Sequence, residues 1–181
     1  ETPLRELFAR WDFGKVAQKL LPEEPKVNPD TWLAAGTVAE AIEAIASARA
    51  SGRVALEVER DGAGAPIGLA LSWGRDLTRY ICLDGRFGVS WRGDALQSAL
   101  VAAMADPAVT WIFHDAKTAL HALSQLQFAP AGPLRDTLLA DYVLASHERH
   151  ALPQLAERHL AYTLRGSESV ASLFAEHVSL D

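Results

Sequence analysis

The stretch VTWIFHDAKTAL, residues 109–120, passes from five almost wholly apolar residues directly into a helical pattern. A run such as VTWIF reads as a strand buried on both faces, of the kind found in the middle of a sheet flanked by helices. The junction after such a strand often carries a site in α/β proteins. Here the helix opens on Ala116, Lys117, Thr118, Ala119 and Leu120, and its first turns hold no carboxylate.

Upstream of this junction the apolar period is two. VALEVE, from Val54, places Val54, Leu56 and Val58 on one face and Ala55, Glu57 and Glu59 on the other. DGAGAP (61–66) is turn chemistry, and PIGLALSW and TRYICL then continue as strands, which gives an antiparallel meander. Gly93-Asp94 starts a helix carrying Leu96, Ala99, Leu100 and Ala103. An earlier helix opens with Thr37 and Glu40 as a capping box, turns Val38, Ala41, Ile42 and Ile45 inward, and stops near Gly52. Leu4, Leu7, Phe8 and Trp11 mark one more helix, joined to the rest by the proline-containing connector LPEEPKVNPD (21–30). Downstream, helices are expected over 116–126, 137–145, 152–160 and 169–177. The pattern predicts an α/β fold with a mixed sheet flanked by helices. Residues 1–36 form the N-terminal helix and connector, and 37–181 the domain proper. There is no internal repeat.

The chain has 181 residues, 49% of them hydrophobic, which suits one well-cored domain. Cys82 stands alone, so no internal disulfide can form, and a reducing compartment, the cytoplasm, is expected. No apolar run approaches the ~20 residues needed to cross a bilayer, and no signal-peptide pattern opens the chain, so no membrane association is expected. The chain begins at Glu1 and enters a helical pattern at once, which suggests a piece of a longer protein. Net charge is −6, with Lys and Arg scattered singly. Phosphate neutralisation dominates nucleic-acid affinity, so strong independent DNA binding is not expected.

Glu57 and Glu59, two apart on a strand, project from one face, an arrangement that suits a divalent ion. Two-metal phosphodiester hydrolysis needs ions ~3.5–4 Å apart held by several carboxylates from different elements, which two acids alone do not supply. On spacing alone the pair reads as a solvated strand face.

The order of three blocks adds to that reading. VALEVERDG, FHDAKTALHAL and DTLLADYVLASHERHALPQLAERHL resemble, in sequence order, successive blocks of the 3′–5′ exonuclease domain of family A DNA polymerases. The last block is the most specific: Asp136, Thr137, Leu139, Tyr142, His150, Leu152, Leu155, Ala156, Arg158 and Leu160 all match. The resemblance implies an RNase H-like fold, with Glu57 and Glu59 at the family's first two metal-ligand positions. His114, Asp115 and Lys117 match the second block, whose metal-binding Asp falls on Ala119. The family's late Y-x-x-x-D motif has no match.

Four acidic ligands and two metal ions carry the family's chemistry. Ala119 has no oxygen, and Glu57 in place of Asp shifts a carboxylate by more than an ångström, where a misplacement of about 1 Å can cost ~10²-fold in rate. The resemblance therefore implies a vestigial site at Glu57, Glu59 and Ala119, with no metal or cofactor held by this domain. It also implies a scaffold role beside a following polymerase domain. Mg²⁺ is expected for that parent polymerase, and DNA is expected to be engaged through it. A live exonuclease with atypical ligands and a stand-alone interaction domain are the competing expectations.

Other residues read more plainly. Asp115 neighbours the lost ligand, but successive helical residues point ~100° apart, so substitution needs rearrangement. Asp136 reads as a cap, His114 as a hydrogen-bonding residue at the strand end, and Cys82 as a small core hydrophobe. His147, His150 and His159 have loosely metal-like spacing, yet read as surface or core histidines. Trp11, Trp73 and Trp111 fall in apolar patterns, and Trp91 beside Arg92 is the candidate for nucleic-acid contact.

Overall fold

A computed structural model describes residues 31–85 and 94–164. The expected helix around Trp11, the connector over 21–30, Trp91 with Arg92 and the helix over 169–177 lie outside these residues. The described part falls into two units, one spanning 31–150 and the other 151–164.

The first unit holds a six-stranded mixed sheet. Its strands are β1 (Trp32–Ala34), β2 (Arg53–Arg60), β3 (Pro66–Gly74), β4 (Leu77–Cys82), β5 (Thr110–Phe113) and β6 (Leu134–Asp136), in the order β1-β4-β3-β2-β5-β6. β2, β3 and β4 are the antiparallel meander that the period-two pattern predicts, and β5 and β6 extend it in parallel from β2. The Asp61 carboxylate closes the first hairpin by accepting from the Ala63 and Ala65 N–H groups at 2.9 and 2.8 Å. Two short strands have no counterpart in the sequence pattern. Trp32–Ala34 falls in the segment read as connector but pairs in parallel with β4, and Leu134–Asp136 pairs in parallel with β5.

Alternation on β2 sorts the two faces. Val54, Leu56 and Val58 are buried in the main core with Leu69, Leu71 and Ile81 of the neighbouring strands. Helices α1 (Val38–Ala50) and α2 (Asp94–Met104) add Ala41, Ile45, Ala48, Leu96, Leu100, Ala103 and Met104 to that core. Full burial of each such Leu or Ile contributes about 2 kcal/mol. The opposite face carries a smaller cluster of Tyr80 and Cys82, packed by Trp32, Ala34 and Ala70. β5 lies inside the sheet, but only Trp111 and Phe113 are buried; Thr110 and Ile112 are half-buried, so the run is less enclosed than its composition predicts. At the start of α1, Thr37 Oγ1 accepts from the Glu40 N–H at 3.2 Å as the capping box requires. The returning Glu40 carboxylate accepts from Gly36, one residue earlier than the motif predicts.

Helices α3 (Ala116–Gln125) and α4 (Thr137–Leu144) follow β5 and β6. In the second unit, α5 (Leu152–Leu160) has Pro153 in its first turn, where a missing N–H costs little, and buries Leu155 and Ala156. Among the described residues no helix is long and apolar enough to cross a membrane.

Candidate functional site

The strand-to-helix junction that opens on Phe113 is held by one carboxylate. Asp136 accepts from the N–H groups of Asp115 and Ala116 at 3.2 and 2.9 Å, and from Leu138 and Leu139 at 2.9 and 3.4 Å. A single side chain thereby satisfies free N–H groups at the starts of both α3 and α4, which would otherwise lack intrahelical partners. Thr137 adds a second tie: its hydroxyl donates to the Phe113 carbonyl at 3.2 Å and meets His114 Nδ1 at 3.0 Å. Burial holds the His114 imidazole below its usual range, against the opposing pull of Asp136, Asp115, Asp141 and the His150 carbonyl.

Asp115 caps α3 from a left-handed backbone conformation, φ 62° and ψ 67°, which Asp tolerates better than most side chains. Its Oδ1 accepts from the Thr118 N–H at 3.3 Å and its Oδ2 from the Thr118 hydroxyl at 2.6 Å. The bond from the Thr118 hydroxyl is the main reason its carboxyl sits below the usual range. Each Asp115 oxygen thus accepts one bond from the helix start while the residue also lines the cleft at Glu57 and Ala119.

Glu57 and Ala119 meet in a shallow cleft of about 60 Å³, together with Arg60, His114, Asp115 and Thr118. That volume is far below the ~300–1,000 Å³ of small-molecule sites. Desolvation by the surrounding protein raises the Glu57 carboxyl above its usual range; Arg60 works against this rise and Asp115 adds to it. Glu57 is nonetheless exposed in total surface, so solvent screening moderates this rise. Ala119 is buried on the apolar side of α3 with Ala122 and Leu123, and Leu126 just beyond the helix is buried with them.

Glu59 does not join them. Glu59 is paired directly with Gly68 of β3, and the register shifts only beyond it, where Arg60 stands opposite Pro66. The Glu59 Oε2 atom accepts a hydrogen bond from the Tyr80 hydroxyl on β4, two strands away. The Tyr80 ring reaches it by lying over Gly68, where any Cβ would stand 2.0 Å from the Tyr80 oxygen. Glu59 Oε1 is buried without a hydrogen-bond partner among the described residues.

A pair of divalent ions needs several carboxylates converging from different elements. Among the described residues no three His, Cys, Asp or Glu side chains come together as a metal site. Among the described residues Glu57 and Asp115 are brought to Ala119 while Glu59 is turned to Tyr80, so these side chains do not assemble the set of carboxylates that a paired centre needs. Each histidine with metal-like spacing has surroundings of its own. His147 is exposed beside Glu148 at 3.6 Å, His159 is exposed on α5, and His150 Nδ1 bonds Asp141 Oδ2 at 2.7 Å.

That last pair, with Asp141 only 5% exposed and the Tyr142 ring edge-on to His150 at 5.3 Å, escaped the sequence reading. The signal was the Asp141-Tyr142 dipeptide ahead of His150 in the third block. The Tyr80–Glu59 bond escaped as well. It depends on strand register, which no local pattern reveals.

The 3′–5′ exonuclease family matches residues 36–179. No curated protein sequence matches the chain. Among solved structures, Escherichia coli RNase D, an exoribonuclease involved in structured RNA processing, is 22% identical with a TM-score of 0.59 over 82% of this chain and 38% of that one. Brucella melitensis NrnC bound to pGG is 21% identical, TM-score 0.53, over 71% and 61%. The POL domain of Pol1 from M. smegmatis, in complex with DNA primer-template and dNTP, is 26% identical, TM-score 0.54, over 68% and 22%. The chain thus spans less than two thirds of each of these relatives. Their shared fold is the RNase H-like mixed sheet with flanking helices described above. With the match covering most of its length, the chain belongs to the 3′–5′ exonuclease family.

Proposed function

We propose that this chain is the 3′–5′ exonuclease-like domain of a DNA polymerase I, catalytically silent, retained as a scaffold for a polymerase domain. The observation that carries the loss of activity is Ala119: at the position where the family places a metal-binding Asp, a methyl group is buried against the core beside Glu57. The polymerase parent is supported by the spaced matches from Asp136 to Leu160 and by the 26% identity to Pol1 from M. smegmatis. In this reading DNA and Mg²⁺ are engaged by the polymerase part, and the protein works in the cytoplasm.

The test is incubation of the chain with 5′-labelled single-stranded DNA and Mg²⁺ or Mn²⁺. The expected result is no shortening of the strand, unchanged in Glu57→Ala, with no two-site isotherm on metal titration. Metal-dependent release of nucleotides that disappears in Glu57→Ala overturns the reading in favour of an active enzyme with atypical ligands.

A further inference from the structure

We propose that Tyr80 is a positioning residue that locks Glu59 out of the cleft, so that the ancestral metal site is closed twice, once by Ala119 and once by the phenol. This inference rests on the reading of a lost site given above. Its own observations are separate from Ala119. Glu59 and Gly68 are directly paired across β2 and β3, and Gly68 is in turn paired with Cys82 on β4. Tyr80, two residues before Cys82, is on the same face and entirely buried, and its ring crosses β3 at Gly68, which has no Cβ to obstruct it. At that crossing the Tyr80 hydroxyl donates to Glu59 Oε2. The second Glu59 oxygen is buried as well, so the carboxylate is enclosed at both ends while Glu57, two residues away, faces the cleft. Restoring an oxygen on α3 alone therefore leaves only one first-strand carboxylate available to a cation.

The experiment compares Mn²⁺ binding, read as loss of the free-ion electron paramagnetic resonance signal, in the 181-residue chain and its variants. Ala119→Asp alone is expected to bind Mn²⁺ weakly. Ala119→Asp with Tyr80→Phe is expected to bind at least tenfold tighter, and adding Glu59→Gln to that pair should remove the gain. Phe keeps the ring volume, so the fold is expected to persist, checked by unchanged tryptophan emission. Tyr80→Leu, which removes the hydroxyl through a different side chain, must give the same gain. Equal binding by Ala119→Asp and the double variant overturns the lock, as does failure of the double variant to bind, or a gain that survives Glu59→Gln. Tight two-ion binding by the unsubstituted chain would instead refute the lost-site reading. The effect of Tyr80→Phe on that binding then judges the lock by itself.

Discussion

The Asp136 carboxylate accepts from the Ala116 N–H at 2.9 Å across the gap between β6 and α3, while also capping α4 in its own segment. One side chain thus aligns two helix starts at the junction where the family's chemistry would sit. Removing it exposes orphan N–H groups on both helices. A cap is worth ~1 kcal/mol and bonds to a charged group about 1.5–3 kcal/mol. Asp136→Ala is expected to destabilise the protein by about 3 kcal/mol, with Asp136→Asn retaining part of the loss, measured as the shift in urea midpoint at constant slope. A change under about 0.5 kcal/mol would show that the two caps are not held by this residue.

Asp141 and His150 form a nearly dry pair on the same network. Losing a buried hydrogen bond costs about 1–3 kcal/mol, whereas replacing both partners with apolar groups of similar shape can be nearly neutral. His150→Leu is expected to lower stability by about 2 kcal/mol, and Asp141→Leu/His150→Leu by clearly less than the sum of the single changes. The double-mutant cycle reads the coupling directly, and strict additivity would rule it out.

Much of this architecture is written locally. Val54, Leu56 and Val58 announce β2, and the helices α3 and α4 end within one residue of where apolar spacing and capping place them. β1 and β6 are three residues each, too short to display a period, and they exist because a neighbouring strand supplies their hydrogen bonds. In the site, the convergence of Glu57 on Ala119 follows from block order. The fate of Glu59 does not, because it depends on a glycine on β3 and a phenol on β4, 21 residues away. Register is a tertiary property, and a period-two pattern tells which face a residue shares but not which partner lies across from it.

Glu57 makes stability depend on pH in a defined direction. Its carboxyl is raised in the folded protein, so its ionisation is harder there than in the unfolded chain. The sign follows from linkage: below the usual carboxylate range the group is protonated in both states and no penalty exists; as pH rises through the raised value the favourable contribution is lost. Glu57→Gln is therefore expected to raise the thermal midpoint at pH 7 and to leave it unchanged in acid below the ordinary glutamate range. A stabilisation that is equal at both pH values would assign the effect to packing.

Asp115 works in the opposite sense. The Thr118 hydroxyl and N–H hold its carboxyl low, so the stability it supplies is present above the usual carboxylate range and lost as pH falls through the depressed value. Thr118→Val removes the stronger bond and is expected to flatten the acid limb of the stability–pH curve, read by thermal unfolding between neutral pH and acid. An unchanged acid limb would show that the cap does not depend on that hydroxyl.

Two glycines separate a clash with a side chain from a clash with backbone. At Gly68 an added methyl stands 2.0 Å from the Tyr80 oxygen and 2.4 Å from its ring, and at Gly132 it stands 1.9 Å from the Val109 carbonyl oxygen. A buried ring can shift by displacing its neighbours, at a typical overpacking cost of about 1–3 kcal/mol. The Val109 carbonyl belongs to the approach to β5, and moving it disturbs the neighbouring pairing of Trp111 with Leu134. Gly132→Ala is therefore expected to be the more damaging substitution. Gly68→Ala should lower stability by about 2 kcal/mol and Gly132→Ala by more, compared by chemical denaturation of the two variants side by side. The reverse order would mean that the Tyr80 ring is held more firmly than the backbone entering β5, and would make the phenol the stiffest element of this face of the sheet.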